Sequence, residues 1–127
     1  MSRELATSPG MSDKVPHLDH AAFAALAADA TPVTLIDFTA KWCAPCRVVD
    51  QVLGALVDEY LGRVRIVAVD VNDEPQLAEQ FGVRSMPTLV IRRGAQEVGR
   101  VVGSRPRAFV AGVLDRALAG DVQITAP

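Results

Sequence analysis

The sequence predicts a three-layer α/β/α sandwich around a central mixed β-sheet. Three observations lead there. Two short apolar runs, VTLIDF at residues 33–38 and VRIVAVDV at residues 64–71, have the length and β-branched content of buried strands. Each is followed by a segment with helical periodicity, so these strands connect by helical crossovers and run parallel. Further on, TLVIR (88–92) and EVGRVV (97–102) flank RGAQ, with Gly94 near the turn, which reads as an antiparallel hairpin.

Residues 1–13 are polar, contain Ser-Pro-Gly and show no periodicity, so they read as a flexible tail in which Met11 is an alternative start. Residues 15–18 (VPHL) suggest a short edge strand, because Pro16 lacks the donor a central strand needs. An Ala-rich helix is expected over 20–29 and the first buried strand over 33–38. A long helix follows over 43–61. Val48, Val49, Val52, Leu53, Leu56, Val57, Tyr60 and Leu61 recur at its spacing, and Gly62 can end it. After the strand at 64–71, Asn72 or Asp73 is expected to cap a short helix with Pro75 in its first turn. There Leu77 and Phe81 share a face and Gly82 is the stop. The hairpin comes next, with Arg92 and Arg93 as a solvated end. A last helix over 106–119 turns Phe109, Val110, Val113, Leu114, Ala117 and Leu118 inward. The predicted order is β-α-β-α-β-α-β-β-α. The domain is expected over 14–122, with 123–127 as a C-terminal tail.

The 127 residues suffice for one domain with a core. Half are apolar, the net charge is −2 and no long basic run occurs, so nothing points to nucleic acid or an anionic membrane. The most apolar stretches, AAFAALAADA and RIVAVDV, are too short or broken by Asp to span a bilayer. The N-terminus lacks the apolar segment of a secretory signal, so a cytoplasmic location is expected. Structural disulfides are rare there. The two cysteines of the chain, Cys43 and Cys46 in WCAPC, are thus expected to react or bind metal.

A structural zinc site wants four ligands, and only His17 and His20 could add to the pair, both outside the core pattern. A metal shared between two chains is the form of that reading left open. A staple closing so short a loop would constrain the unfolded chain little. Electron exchange fits best. The pair follows a strand and opens a helix, where free N–H groups and the helix dipole favour a thiolate. Pro45 suits the first turn, which needs no proline N–H. Cys43 lies at the exposed tip beside Trp42 and would attack; Cys46, one turn deeper, would resolve.

With these segments in this order, the sequence resembles the thioredoxin family over roughly residues 12–120, through LIDFTAKWCAPCR and VRIVAVDVNDEPQLAEQFGVRSMPTLVIRRGAQEVGRVVGS. The resemblance implies the thioredoxin fold and protein-disulfide reductase activity, with Cys43 as nucleophile and Cys46 as resolving cysteine. Asp37 matches the family's buried acid, which assists proton transfer at the deeper sulfur. Pro87 matches the cis-proline beside the active disulfide. Trp42, Met86 and Gly103 match the apolar rim, and Ala44 and Pro45 join them in the expected substrate-binding set. An acid within VTLIDF independently suggests a buried group of raised pKa, the alternative being the strand's exposed end. For Pro87 the alternative is a strand-opening proline.

The resemblance also implies protein disulfides as substrates, an NADPH-dependent thioredoxin reductase as electron donor, no bound cofactor or metal, a monomer, and a part in electron transport and cell redox homeostasis. Four departures stand out. Ala44 replaces the commonest glycine of WCGPC. Ala68 stands where many members place a lysine beside the buried acid, which implies a higher Asp37 pKa. Gln51 replaces a frequent helix-kinking proline, implying a straighter helix, and Thr39 replaces a frequent tryptophan. An interaction or holdase module using the same rim without turnover is the alternative function. An oxidant or isomerase is a third, against which the absent signal segment speaks.

Overall fold

The computed structural model describes residues 14–28 and 31–125. Its strands are β1 (Val33–Thr39), β2 (Val64–Asp70), β3 (Thr88–Arg93), β4 (Gln96–Val102) and β5 (Ile124–Thr125). Its α-helices are α1 (His20–Ala24, continued by a 3₁₀ turn, Ala25–Ala28), α2 (Ala44–Glu59), α3 (Pro75–Gln80) and α4 (Arg107–Leu118). The sheet order is β2-β1-β3-β4-β5. β1 and β2 are parallel, from Val33 opposite Val64 to Thr39 opposite Asp70. β3 runs antiparallel to both β1 and β4. The predicted mixed sheet, with helical crossovers followed by a hairpin, is the sheet observed.

Alternation along the strands sorts the core into two layers. Val33, Leu35, Val64, Ile66, Ala68, Leu89 and Ile91 face Val49, Leu53 and Leu56 of α2 and Val110, Val113, Leu114 and Ala117 of α4. On the other face, Ile36, Phe38, Val67, Val69 and Val90 meet Phe23 of α1 and Leu77 of α3. The buried face of α2 is Cys46, Val49, Asp50, Leu53, Gly54 and Leu56. That face turns Val48 outward, and Leu61 lies past the helix end, so these two residues expected inside are 56% and 77% exposed.

Several local expectations change. Residues 15–18 make one parallel bridge, His17 to Ala68, rather than a strand. The Pro16 carbonyl accepts from Ala68 N–H (2.9 Å), and Leu18 N–H donates to the Ala68 carbonyl (2.8 Å). The ladder goes no further because Asp19 turns the chain into α1, its side chain accepting from Ala22 N–H. Neither Asn72 nor Asp73 caps α3. Glu74 holds that position without a side-chain bond, while the Asp70 carboxylate accepts from the N–H groups of Asn72 and Asp73. Arg92 is no solvated end: its guanidinium lies 5.7 Å from the Phe23 ring and 5.8 Å from the Phe81 ring. The segment expected as a C-terminal tail contributes β5, parallel to β4, with Ile124 buried. Gly99 makes that approach feasible, since a Cβ there would lie 3.1 Å from Ile124 Cβ. The expected tail at 1–13 and the start at Met11 lie outside the described residues.

Candidate active site

At the carboxyl end of β1 the chain turns through Ala40–Trp42 and enters α2 at Cys43. Cys43 is the N-cap residue, with extended backbone (φ −120°, ψ 106°). Its Sγ accepts from the Cys46 N–H at 3.2 Å, in the place where a serine or aspartate oxygen commonly caps a helix. Pro45 occupies the first turn, where an N–H is dispensable. Cys43 and Cys46 are joined in a disulfide with Cα atoms 5.2 Å apart. The two sulfurs differ in access as expected: Cys43 is half-buried, whereas Cys46 is 2% exposed.

A loop remote in sequence completes the site. The Met86–Pro87 bond is cis, and the Met86 carbonyl oxygen lies 3.8 Å from Cys43 Sγ. Thr88 Oγ1 donates to the Ser85 carbonyl (2.7 Å), bracing this loop where β3 begins. The Pro87 carbonyl accepts from Gly103 N–H at 2.9 Å, which ties the end of β4 to the loop. Gly103 has φ +88°, a left-handed conformation that favours glycine. Met86 is thus brought to Cys43, and Gly103 to Pro87 in the same loop. Ala44 and Pro45 are exposed beside Cys43, and Trp42 is 94% exposed. Lys41 is engaged by Asp73 (3.3 Å) and Asp70 (3.9 Å).

Asp37 is interior, not the exposed end of its strand, at 1% exposure. It follows Leu35 by two residues and therefore points into the layer beneath α2. Neither of its carboxylate oxygens has a hydrogen-bond partner among the described residues. Burial, and after it the charge of Asp50, push its pKa up to about 8. Ala68, its register partner on β2, presents a methyl group and no charge. The sequence reading overlooked Asp50. Its signal was available: it lies four residues after Cys46, on the same face of an amphipathic helix. Among the described residues, no group of three or more His, Cys, Asp or Glu is placed to hold a metal ion.

This arrangement can accept and return two electrons by disulfide exchange, with an accessible sulfur, an inner sulfur and a nearby acid. The thioredoxin family model matches residues 14–116. The chain belongs to the thioredoxin family. Among its relatives in this family, thioredoxin 1 of Nostoc sp. is 40% identical over 90 residues, covering 71% of this chain and 84% of the relative. Thioredoxin of Synechocystis sp. is 38% identical over 103 residues, covering 81% and 96%. The crystal structure of chloroplastic thioredoxin z superposes with a TM-score of 0.76 at 28% identity, over 87% of this chain and 99% of that one. A thioredoxin mutant from Halobacterium salinarum gives 0.71 at 26% identity, over 87% and 93%. This thioredoxin-family chain is a thiol–disulfide oxidoreductase with a CxxC redox pair.

Proposed function

We propose that the chain reduces protein disulfides, with Cys43 as nucleophile, Cys46 as resolving cysteine and Asp37 as proton acceptor. The observation that carries this reading is the Cys43 sulfur at the N-cap of α2, bonded to a buried Cys46. The free N–H groups of the helix start stabilise negative charge on Cys43. Its thiolate attacks a substrate disulfide, forming one S–S bond to substrate and releasing one substrate thiolate. Asp37 takes the proton of Cys46, whose thiolate attacks Cys43 and releases the second substrate thiolate. The substrate gains two electrons and the pair becomes the Cys43–Cys46 disulfide. A carboxyl with a pKa of about 8 is matched to that transfer near neutral pH.

Trp42, Ala44, Pro45, Met86, Pro87 and Gly103 form the face that receives the partner chain, supported by their position around the accessible sulfur. An NADPH-dependent thioredoxin reductase returns the pair to the dithiol, without a cofactor bound to this chain. The protein acts as a monomer in the cytoplasm, where a reducing supply drives the exchange toward reduction, and so serves electron transport and redox homeostasis. The exposed Trp42 also supports a holdase reading, in which the rim binds unfolded segments without turnover.

Insulin reduction separates these readings. Turbidity is measured with dithiothreitol and then with NADPH and a thioredoxin reductase. Wild type is active in both and the double variant Cys43→Ser, Cys46→Ser in neither. A double variant that retains full function in the cell supports the holdase instead.

A further inference from the structure

Three stretches of chain meet at the accessible sulfur, and each carries arginine and no acid. The first, residues 40–47, holds Cys43 itself, and the Arg47 N–H donates to the Cys43 carbonyl at 3.2 Å. The second, residues 82–88, brings the Met86 carbonyl to 3.8 Å from Cys43 Sγ, with Arg84 two residues earlier. The third, residues 102–107, is tied to the second by the bond from Gly103 N–H to the Pro87 carbonyl. The chain as a whole carries a charge of −2. Yet five of its 13 Lys and Arg residues fall in these stretches, and none of its 15 Asp and Glu.

Two of the five cations are met by acids: Lys41 by Asp70 and Asp73 of the turn after β2, and Arg107 by Glu59. Arg105 packs on the Phe109 ring, its guanidinium 4.4 Å from the centroid. Arg47 and Arg84 remain, and neither has an acid partner among the described residues. Arg84 is exposed and Arg47 half-buried. Arg47 follows Cys43 by one helical turn, where side chains share a face and lean toward the N-terminus. Arg84 Cα lies within about 8 Å of Met86 Cα, because consecutive Cα atoms are about 3.8 Å apart. Both charges therefore stand at distances comparable with the Debye length, about 8–10 Å at ordinary salt, from a chain docked at Cys43. A guanidinium keeps its charge in proteins, so this field does not depend on titration.

We propose that Arg47 and Arg84 select, among protein disulfides, those with Asp or Glu within a few residues of the attacked cysteine. This specificity rests on the disulfide-reductase reading and refines it. The two guanidinium groups attract an acidic flank and repel a basic one. Charges at the rim of a contact act on the rate of encounter and on its salt dependence more than on the docked complex. Neither arginine takes part in the exchange of bonds. The acids near the site, Asp70 and Asp73, lie on the Lys41 side, so the acidic flank of the partner falls on the side of Arg47 and Arg84.

Single-turnover kinetics of the reduced full chain test this. Each peptide substrate holds one cysteine in a disulfide with a reporter thiol. The protein dithiol becomes the Cys43–Cys46 disulfide as peptide and reporter leave as two thiols. Three peptides place Glu, Gln or Lys on both sides of the cysteine. The wild-type rate on each is divided by the rate of the double variant Arg47→Gln, Arg84→Gln, so the intrinsic reactivity of the peptide cancels. Comparison between peptides cancels any change in the Cys43 thiolate. At about 0.01 M salt the ratio for the Glu peptide exceeds that for the Lys peptide about tenfold, and at about 1 M the two converge. Arg84→Glu shifts the preference toward the Lys peptide. If the double variant does not fold, Arg84→Gln carries the same comparison. Equal ratios at low salt, with wild type active on all three peptides, overturn the role of the arginines and leave the reductase reading standing. A wild type that reduces none of the peptides overturns both.

Discussion

Asp37 on β1 and Ala68 on β2 are register partners in a parallel ladder, so a buried carboxyl has a methyl group for its strand neighbour. A lysine at position 68 would bring a cation to that acid. The Asp37 midpoint in Ala68→Lys is expected to fall by about one unit or more, because an opposite charge nearby favours the ionised form. Carbon-13 titration of both proteins checks it, and equal midpoints reject it.

Asp37 also predicts how stability depends on pH. Its pKa rises from 3.8 to about 8 on folding, so between these values the folded state keeps a proton that the unfolded state has lost. The contribution is full below pH 3.8 and is lost as pH rises to about 8. Oxidised wild type should lose about 1.4 kcal/mol per pH unit in the interior of that window from this group. Asp37→Asn should flatten the slope. Urea denaturation of both proteins across the window measures it, and parallel slopes count against a carboxyl buried in its protonated form.

The unequal access of the two sulfurs yields a kinetic prediction. Cys46→Ser leaves the more accessible, half-buried nucleophile but removes the inner sulfur that ends the exchange, so it should accumulate a mixed disulfide through Cys43. Cys43→Ser should accumulate none. Non-reducing mass spectrometry after incubation with a disulfide peptide distinguishes them, and equal adducts would remove the assignment of attacker and resolver.

At the far edge of the sheet, Gly99 and Ile124 meet closely. A Cβ at position 99 would stand 3.1 Å from Ile124 Cβ and 3.2 Å from the Ile124 carbonyl oxygen. Gly99→Ala should therefore displace the two-residue strand β5 and cost about 1–3 kcal/mol. Faster amide exchange at residues 124 and 125, with unchanged disulfide reduction, is the expected signature.

Tyr60 ties α2 to α4: its hydroxyl donates to Asp115 Oδ1 at 2.6 Å and lies 3.2 Å from the Ala111 carbonyl oxygen. Burial, and then the bond to Asp115, push the phenol up to about 12. Its contribution is present below pH 10.0 and is lost as pH climbs to about 12. Tyr60→Phe should lower neutral-pH stability by about 1 kcal/mol, because Asp115 is exposed and regains water. Thermal denaturation at neutral pH checks it.

What the sequence determined by itself is what short-range pattern encodes. Apolar runs of strand length, helical spacing after each and a glycine between two strands are enough for the layer order. WCAPC after VTLIDF placed a thiol at a helix start, because a strand's end and a helix's first turn are local events. Position 50 shows the limit of such patterns. A lone Asp among valines and leucines is polar by type, and one-dimensional spacing does not weigh its charge against an acid on another strand. Only the tertiary structure decided that Asp37 and Asp50 are both buried, that Met86 reaches Cys43 from a loop remote in sequence, and that Ile124 closes a sheet edge. The physical reason is that burial and charge interaction depend on distance through space, and the folded chain sets that distance where sequence separation does not.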